Sequence, residues 1–483
     1  MKITMSRSVI VAIIMCASIT SNYAVPVTHK RVYEAVAHVY ASGSSFNWLE
    51  PFKTSPASTE QGSGFVIDDE GHIITNFHVI KDATDITVTL PSCGQRVVHT
   101  TVVGICPESD VALLKIVSDD RQYVRSITGY LPHLVVGDSD NIERERRVTA
   151  YGYPFGQQRV NCQPGMVSGF EVVEGESFIE VTTPLSSGYS GGPCVDRVGH
   201  VVGINNAQLM GIRSMNFIIP INEIKKLLPS LHRHAVVHRP FIGASFVGTH
   251  PSLMRFLGNP DTVAGLYVTR VYKHGACAAA GIVAGDVVYT LNGHALTPSG
   301  ELKDPARNEL MPLLVALNQC SPDQTISCGV YRHGKRRNVT IDFGTAQQLP
   351  IRYWYPPFEH VDYEILGGLV LMPFALNHLD ALRCRDTNIA KRLSYYEEIS
   401  HRTEPKVIVT HLMARSPARD IGTIREGDIV QSINDMRIRT LADVRCALKK
   451  FSAKKQKYIV IKTDNDAVIV IDRTAATESC CVP

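Results

Sequence analysis

The chain has 483 residues, room for about three domains that each bury a core of their own. Its 44% hydrophobic and 20% charged residues exclude wholesale disorder and a collagen-like or coiled-coil chain. Forty-nine Lys and Arg against 46 Asp and Glu leave +3, too small a surplus to steer the chain to nucleic acid or an anionic membrane by net charge alone.

In chain order, the first expected element is an export signal over residues 1–24. Lys2 and Arg7 give a basic start, Val9 to Ala17 a short apolar core, and Ser18 to Ala24 a polar stretch ending on a small residue. The apolar run is too short to anchor in a bilayer, and Cys16 lacks the small residues that precede a lipid-attachment site. After residue 25 no apolar run approaches the roughly 18 residues that cross a membrane, so no integral membrane span is expected. From about 60 to 220 short apolar runs are broken by Gly, Pro, Asp and Asn. Examples are Gly64-Phe-Val-Ile-Asp68, His72-Ile-Ile-Thr75, Val111-Ala-Leu-Leu-Lys-Ile116 and Val201-Val-Gly-Ile-Asn205. Regular turn signals between short strands predict an all-β barrel or sandwich. Ile221 to Leu231 has apolar residues at helical spacing with Lys225 and Lys226 opposite, which predicts a closing helix.

The remainder holds an internal repeat. Tyr267-Val-Thr-Arg-Val, Gly285-Asp286 and Asn292 recur as Ile408-Val-Thr-His-Leu, Gly427-Asp428 and Asn434, with the Gly-Asp and Asn pairs at the same offset. Each copy predicts strands, a helix (Asn308 to Leu317, then Leu441 to Phe451) and a closing hairpin turning at His333-Gly334-Lys335 or Asp464-Asn465-Asp466. Ala346 to Tyr363, rich in Pro and aromatics, reads as a linker that packs along a surface. The predicted division is signal 1–24, a β-rich unit 30–235, one repeat 239–345, the linker 346–363 and the second repeat 364–473.

Three motifs carry chemistry: Thr75-Asn-Phe-His78-Val, Ser109-Asp110-Val-Ala-Leu-Leu-Lys115 and Gly188-Tyr189-Ser190-Gly-Gly-Pro193. A serine hydroxyl attacks a carbonyl only when a neutral imidazole takes its proton, and that imidazole needs a carboxylate on its other nitrogen. The oxyanion needs backbone N–H donors, which a Gly-X-Ser-Gly-Gly turn presents; Gly188 and Ser190 are the expected pair. His78, Asp110 and Ser190 are therefore the expected catalytic residues, with His and Asp in one β-rich half and Ser in the other. The flanking readings are ordinary. His72 is a strand residue, Ser186 and Ser187 belong to the loop, and Arg332-His-Gly-Lys-Arg-Arg337 is a solvated hairpin tip. The scattered cysteines, without Cys-X-X-Cys or Cys/His spacing, are small buried hydrophobes, and no metal site or cofactor is expected. Adjacent Cys480 and Cys481 are poorly placed to bridge each other.

Gln61-Gly-Ser-Gly-Phe-Val-Ile, Thr75-Asn-Phe-His-Val, Asp110-Val-Ala-Leu-Leu-Lys-Ile and Ser190-Gly-Gly-Pro, followed by PDZ-like repeats, resemble the HtrA/Deg serine proteases, most closely the plant-type Deg branch and its bacterial relatives. The resemblance implies a mainly β fold, with a chymotrypsin-like double β-barrel followed by two small α+β PDZ domains. It also implies ATP-independent cleavage of misfolded or unfolded polypeptides, a trimer-based homo-oligomer and often chaperone activity, in a periplasmic or other extracytoplasmic compartment. Tyr189 stands where the family has Asn, and Pro184-Leu-Ser-Ser-Gly replaces its usual run. The loop Ala41 to Thr59 is short beside the long regulatory loop of some bacterial members. Asn205 to Ser214, with Asn205, Asn206 and Ser214 as named contacts beside Tyr189, is expected to line a specificity pocket for small aliphatic residues. Phe241-Ile242-Gly243-Ala244 resembles the loop that binds the carboxylate of a C-terminal peptide segment, the peptide adding as a strand beside Ile242 to Phe246. Leu366-Gly-Gly-Leu-Val has the glycines for a second such loop. A chaperone or PDZ scaffold with a latent protease is the competing reading, kept open by Tyr189.

Overall fold

The computed structural model describes residues 29–173, 175–207, 215–304, 309–454 and 456–472. The expected export signal with Cys16, the pocket residue Ser214, Asn308, Cys480 and Cys481 lie outside them.

Strands Val36–Gly43, Ser58–Val66, His72–Thr75, Ala83–Thr89, Val98–Cys106 and Val111–Ile116 (β1–β6) close a barrel in the order β1-β2-β3-β6-β5-β4. Arg147–Gly152, Asn161–Val173, Glu176–Val181, Pro193–Val195, Val201–Asn206 and Asn216–Pro220 (β7–β12) close a second, ordered β10-β11-β12-β9-β8-β7. Successive side chains of a strand point to opposite faces. On β6 this puts Ala112, Leu114 and Ile116 inside the first barrel, with Val39 and Val88, while Val111 and Leu113 meet Val195, Ile204 and Ile219 between the barrels. A strand buried on both faces reads as an unbroken apolar run, as Val111 to Leu114 does. The closing helix Ile221–Leu231 forms as expected and buries Ile221, Ile224, Leu227 and Leu231 in the same inter-barrel core.

The first repeat contains strands Ala244–Gly248, Leu266–Val271, Val287–Leu291, His294–Ala295, Glu301–Lys303, Leu310–Pro312, Thr325–Arg332 and Lys335–Asp342 (β13–β20). Its main sheet runs β13-β14-β15-β19-β20, so β13 is an edge. The second contains Glu364–Leu366, Leu369–Pro373, Val407–Leu412, Ile429–Ile433, Met436–Arg437, Tyr458–Thr463 and Val468–Asp472 (β21–β27), ordered β21-β22-β23-β24-β26-β27.

The repeated residues do the same work in both copies. Asp286 and Asp428 are buried, and each accepts the amide three residues upstream, at 3.0 Å from Val283 and 2.8 Å from Arg425. Each also meets an arginine, Arg332 in a two-pronged contact at 2.6 and 2.7 Å and Arg392 at 2.9 Å. Asn292 and Asn434 are both left-handed, with φ of 48° and 45°, and their side-chain oxygens accept from Ser327 and Val460.

Two expectations are corrected. Leu310–Pro312 is a strand and the groove helix begins only at Leu313, because Pro312 holds an extended ψ of 141° and disfavours helix in the residue before it. Arg332 is not a solvated tip residue, since Asp286 draws it inward. The nine described cysteines are unpaired, and five of them, among them Cys106 and Cys194, are buried.

The linker and the loop after β1 pack on neighbouring units. The rings of Tyr355 and Phe358, in the linker, lie 5.3 and 6.2 Å from that of Phe77 beside His78. In the loop after β1, Trp48 meets His378 of the second repeat edge-on at 5.1 Å.

Candidate active site

His78 lies on the short helix Phe77–Ile80 that follows β3, and Asp110 ends the turn Pro107–Ser109 between β5 and β6. Asp110 adopts a left-handed conformation, φ 52° and ψ 44°, one that Asp tolerates better than most residues. That turn aims both carboxylate oxygens at one residue. Oδ1 accepts the His78 backbone N–H at 2.9 Å, and Oδ2 lies 2.8 Å from His78 Nδ1. Asn76 Nδ2 donates to the Asp110 carbonyl at 2.8 Å, fixing the turn from the residue just before the helix that carries the histidine.

Ser190 comes from the second barrel in a turn that only glycines allow. Gly188 and Gly191 have φ of 95° and 84°, and a Cβ on Gly191 would stand 2.4 Å from Thr75 Oγ1. That packing brings the serine turn against the strand leading to His78. Successive residues at the end of β11 complete the link: Asn206 Nδ2 donates to Asp110 Oδ2 at 3.3 Å, and the Ala207 amide to Ser190 Oγ at 3.3 Å. No hydrogen bond joins Ser190 Oγ to His78 among the described residues.

The Ser187 carbonyl accepts from Phe155 N at 2.9 Å, so the Gly188 N–H, trans to it across the same peptide, points the other way. Ser63 donates to the Gly188 carbonyl at 2.6 Å and accepts from Tyr153 N at 2.9 Å, which pins the turn from the first barrel. Among the described residues neither the Gly188 nor the Ser190 amide donates a hydrogen bond. Two free N–H groups beside a serine are what an oxyanion site requires.

Three of the expected substrate contacts make bonds within the protein. The Tyr189 ring is 2% exposed in the core of the second barrel, and its hydroxyl bonds Asn161 Oδ1 at 3.2 Å; alternation along the turn sends it inward as Ser190 faces the cleft. Asn205 is fully buried, donating to the Tyr151 carbonyl at 3.0 Å, because on β11 it points into the barrel. Asn206 is bonded to Asp110. Ser63, Asn76 and the connector residue Arg239, whose Nε donates to Ser109 Oγ at 2.9 Å, carry contacts that sequence reading did not assign. The Gly62-Ser63-Gly64 motif was the available signal for the first of these.

At the start of the first repeat, the Phe241, Ile242 and Gly243 carbonyls accept from Ala276, Cys277 and Tyr272 at 2.8, 3.0 and 2.8 Å. Their own amides donate to no acceptor among the described residues, and Gly243 has φ 69°. Ala244 opens β13, the free edge. The second repeat differs: β21 already pairs antiparallel along β22, Glu364 opposite Leu371 and Leu366 opposite Leu369. Arg445, on the groove helix Leu441–Lys454, holds that strand through Asp362 at 2.6 Å and through Glu364.

Two six-stranded barrels with a His–Asp pair on one and a serine turn on the other, followed by two PDZ units, define a trypsin-like serine endopeptidase. Residues 62–204 match the trypsin-like peptidase domain, and 240–343 and 358–480 match PDZ domains. A DegP-like periplasmic serine endoprotease of Marinomonas is 30% identical over 393 residues, covering 79% of this chain and 72% of that protein. One of Pseudomonas fluorescens is 32% identical over 294 residues, spanning 59% of this chain but only 56% of the relative. The solved HtrA-type protease AlgW with decapeptide is 27% identical, with a TM-score of 0.48 over 65% of this chain and 96% of that one. The chain belongs to the DegP-like, or HtrA, family of serine endoproteases.

Proposed function

We propose that the protein is an exported, ATP-independent endopeptidase of misfolded or unfolded polypeptides, with His78, Asp110 and Ser190 as its triad. The observation that carries the triad is the double contact of Asp110 on His78, backbone and ring together. The carboxylate on Nδ1 sets the tautomer that leaves Nε2 as the base. Ser190 Oγ turns from the Ala207 amide toward that nitrogen, gives up its proton and attacks the scissile carbonyl. The Gly188 and Ser190 amides take the developing negative charge, and His78 returns the proton to the leaving amine. Catalytic contacts that are unmade in the free enzyme commonly tighten only with substrate.

The organisation proposed is a protease unit over 30–235, PDZ units over 239–345 and 364–473, and the linker 346–363 between them. The specificity proposed is for small aliphatic side chains. Phe241 to Ala244 captures C-terminal peptide segments at the open edge of β13, and the assembly is a trimer or multiple of trimers. Periplasmic names among the relatives support export, and among the described residues no helix is long and apolar enough to cross a membrane. The scaffold reading loses its main support, because the Tyr189 ring is packed in the core and only its backbone belongs to the serine turn.

Incubation with unfolded casein in the absence of ATP tests the reading. The wild type is expected to degrade casein, while Ser190→Ala and His78→Ala each lose on the order of 10⁶-fold in turnover. Retention of a tenth of the activity in either variant contradicts the triad.

A further inference from the structure

The segment between the closing helix and the first PDZ unit runs beside the catalytic turn rather than through solvent. Ile105 N donates to the Ala235 carbonyl at 3.0 Å, and Val237 N to the Ile105 carbonyl at 2.7 Å, a parallel pairing along the end of β5. The next two residues then grip the two that precede Asp110. His238 Nδ1 lies 2.9 Å from Glu108 Oε1, and Arg239 Nε donates to Ser109 Oγ at 2.9 Å. Arg239 also reaches the other barrel, where Nη2 bonds Glu176 Oε2, at the start of β9, at 2.6 Å. Its side chain is 11% exposed, so both contacts are largely shielded from water.

A guanidinium is planar and always charged, so one that bonds two barrels fixes their separation as a flexible ammonium cannot. Asp110 and His78 ride on the first barrel and Ser190 on the second. The left-handed Asp110 is a conformation that surrounding contacts must hold, and Ser109, immediately before it, is 8% exposed and bonded to Arg239.

We propose that Arg239 is a positioning residue of the protease: through Ser109 and Glu176 it sets the turn bearing Asp110 against the barrel bearing Ser190. It lies two residues before Phe241, so the brace belongs to the same stretch of chain as the peptide-binding loop. The inference rests on the triad reading, and its test is built so that the two fail separately.

The test uses the full chain and a short reporter peptide, with rates normalised to sites titrated by a fluorophosphonate. Arg239→Gln is expected to lower kcat per titrated site by about 10- to 100-fold, the scale of an ångström-sized misplacement, with KM changed less than twofold. Ser109→Ala is expected to shift kcat in the same direction by less. The double variant should be no slower than Arg239→Gln alone, since both break one contact. A merely structural loss would reduce the number of titrated sites and leave the rate of each unchanged. A per-site kcat within twofold of wild type in Arg239→Gln, or additive losses in the double variant, overturns the proposal. Where Arg239→Gln cannot be titrated, Ser109→Ala decides: slower per-site turnover supports the brace, and unchanged turnover overturns it. Activity surviving in His78→Ala would instead remove the triad reading beneath it.

Discussion

Tyr189 shows how a departure from a family pattern acts at the scale of one residue. In sequence it stands beside the nucleophile and calls the shape of the turn into question. In the structure only its backbone belongs to the turn, and the ring fills the second barrel among Ile142, Val167 and Ile218. Tyr189→Phe should therefore cost about 1 kcal/mol, the usual worth of one hydrogen bond, and leave turnover nearly unchanged. Tyr189→Ala should cost about 3–5 kcal/mol through the cavity it opens. Urea unfolding beside reporter cleavage checks both, and a Phe variant that folds but does not cleave would return the residue to the site. His78, Asp110 and Ser190 were legible as candidates because triad chemistry demands those residue types within short motifs. The contact of Asn206 with Asp110 was not legible, because position on β11 does not reveal where a side chain points. Arg239 was invisible, since its partners Ser109 and Glu176 lie 130 and 63 residues away.

Among the elements, the edges of the two PDZ sheets make the sharpest contrast. β13 is open, whereas β22 is covered by β21, whose turn at Gly367 and Gly368 has positive φ at both residues. Added strands bind through free edge groups, so hydrophobic C-terminal peptides should bind at the first copy alone. Gly243→Glu should abolish that binding, because a Cβ there would stand 2.5 Å from Gly275 Cα and φ is already 69°. Fluorescence titration of a labelled peptide checks this, and unchanged binding in the variant would place the peptide elsewhere. The repeat itself was readable from Gly-Asp and Asn at one offset, but the covering strand was not, since Glu364-Ile-Leu366 carries no mark of its partner.

The connector adds a pH dependence at the same scale. Burial alone would lower the His238 pKa, but Glu108 and Glu359 outweigh it and raise it to about 9. The folded protein thus holds this proton more tightly than the unfolded chain, and the stability it contributes is full below about 6.5 and lost as pH rises through 9. His378 is opposite in sign: burial lowers it to about 4, so its contribution is full above about 6.5 and lost as pH falls toward 4. Thermal melts from pH 5 to 10 should show wild type losing its advantage over His238→Asn between about pH 6.5 and 9. A constant difference across that range would contradict the paired histidine.

At the scale of the whole molecule, the linker and the loop after β1 bind neighbouring units. Tyr355 and Phe358 of the linker cover Phe77 next to His78, and Trp48 of the protease packs against a buried cluster of the second PDZ unit. The order of barrels, closing helix and repeats was legible because each leaves a local period in the sequence. Contacts between units leave none, being made by single aromatic and charged side chains in loops. The central claim, that these units present Ser190 as a nucleophile activated by His78 and Asp110, is tested most directly by labelling the full chain with a fluorophosphonate and mapping the modified residue. The account predicts modification at Ser190 alone, lost in His78→Ala although that variant stays folded. Modification at another serine, or equal labelling of folded His78→Ala, would contradict it.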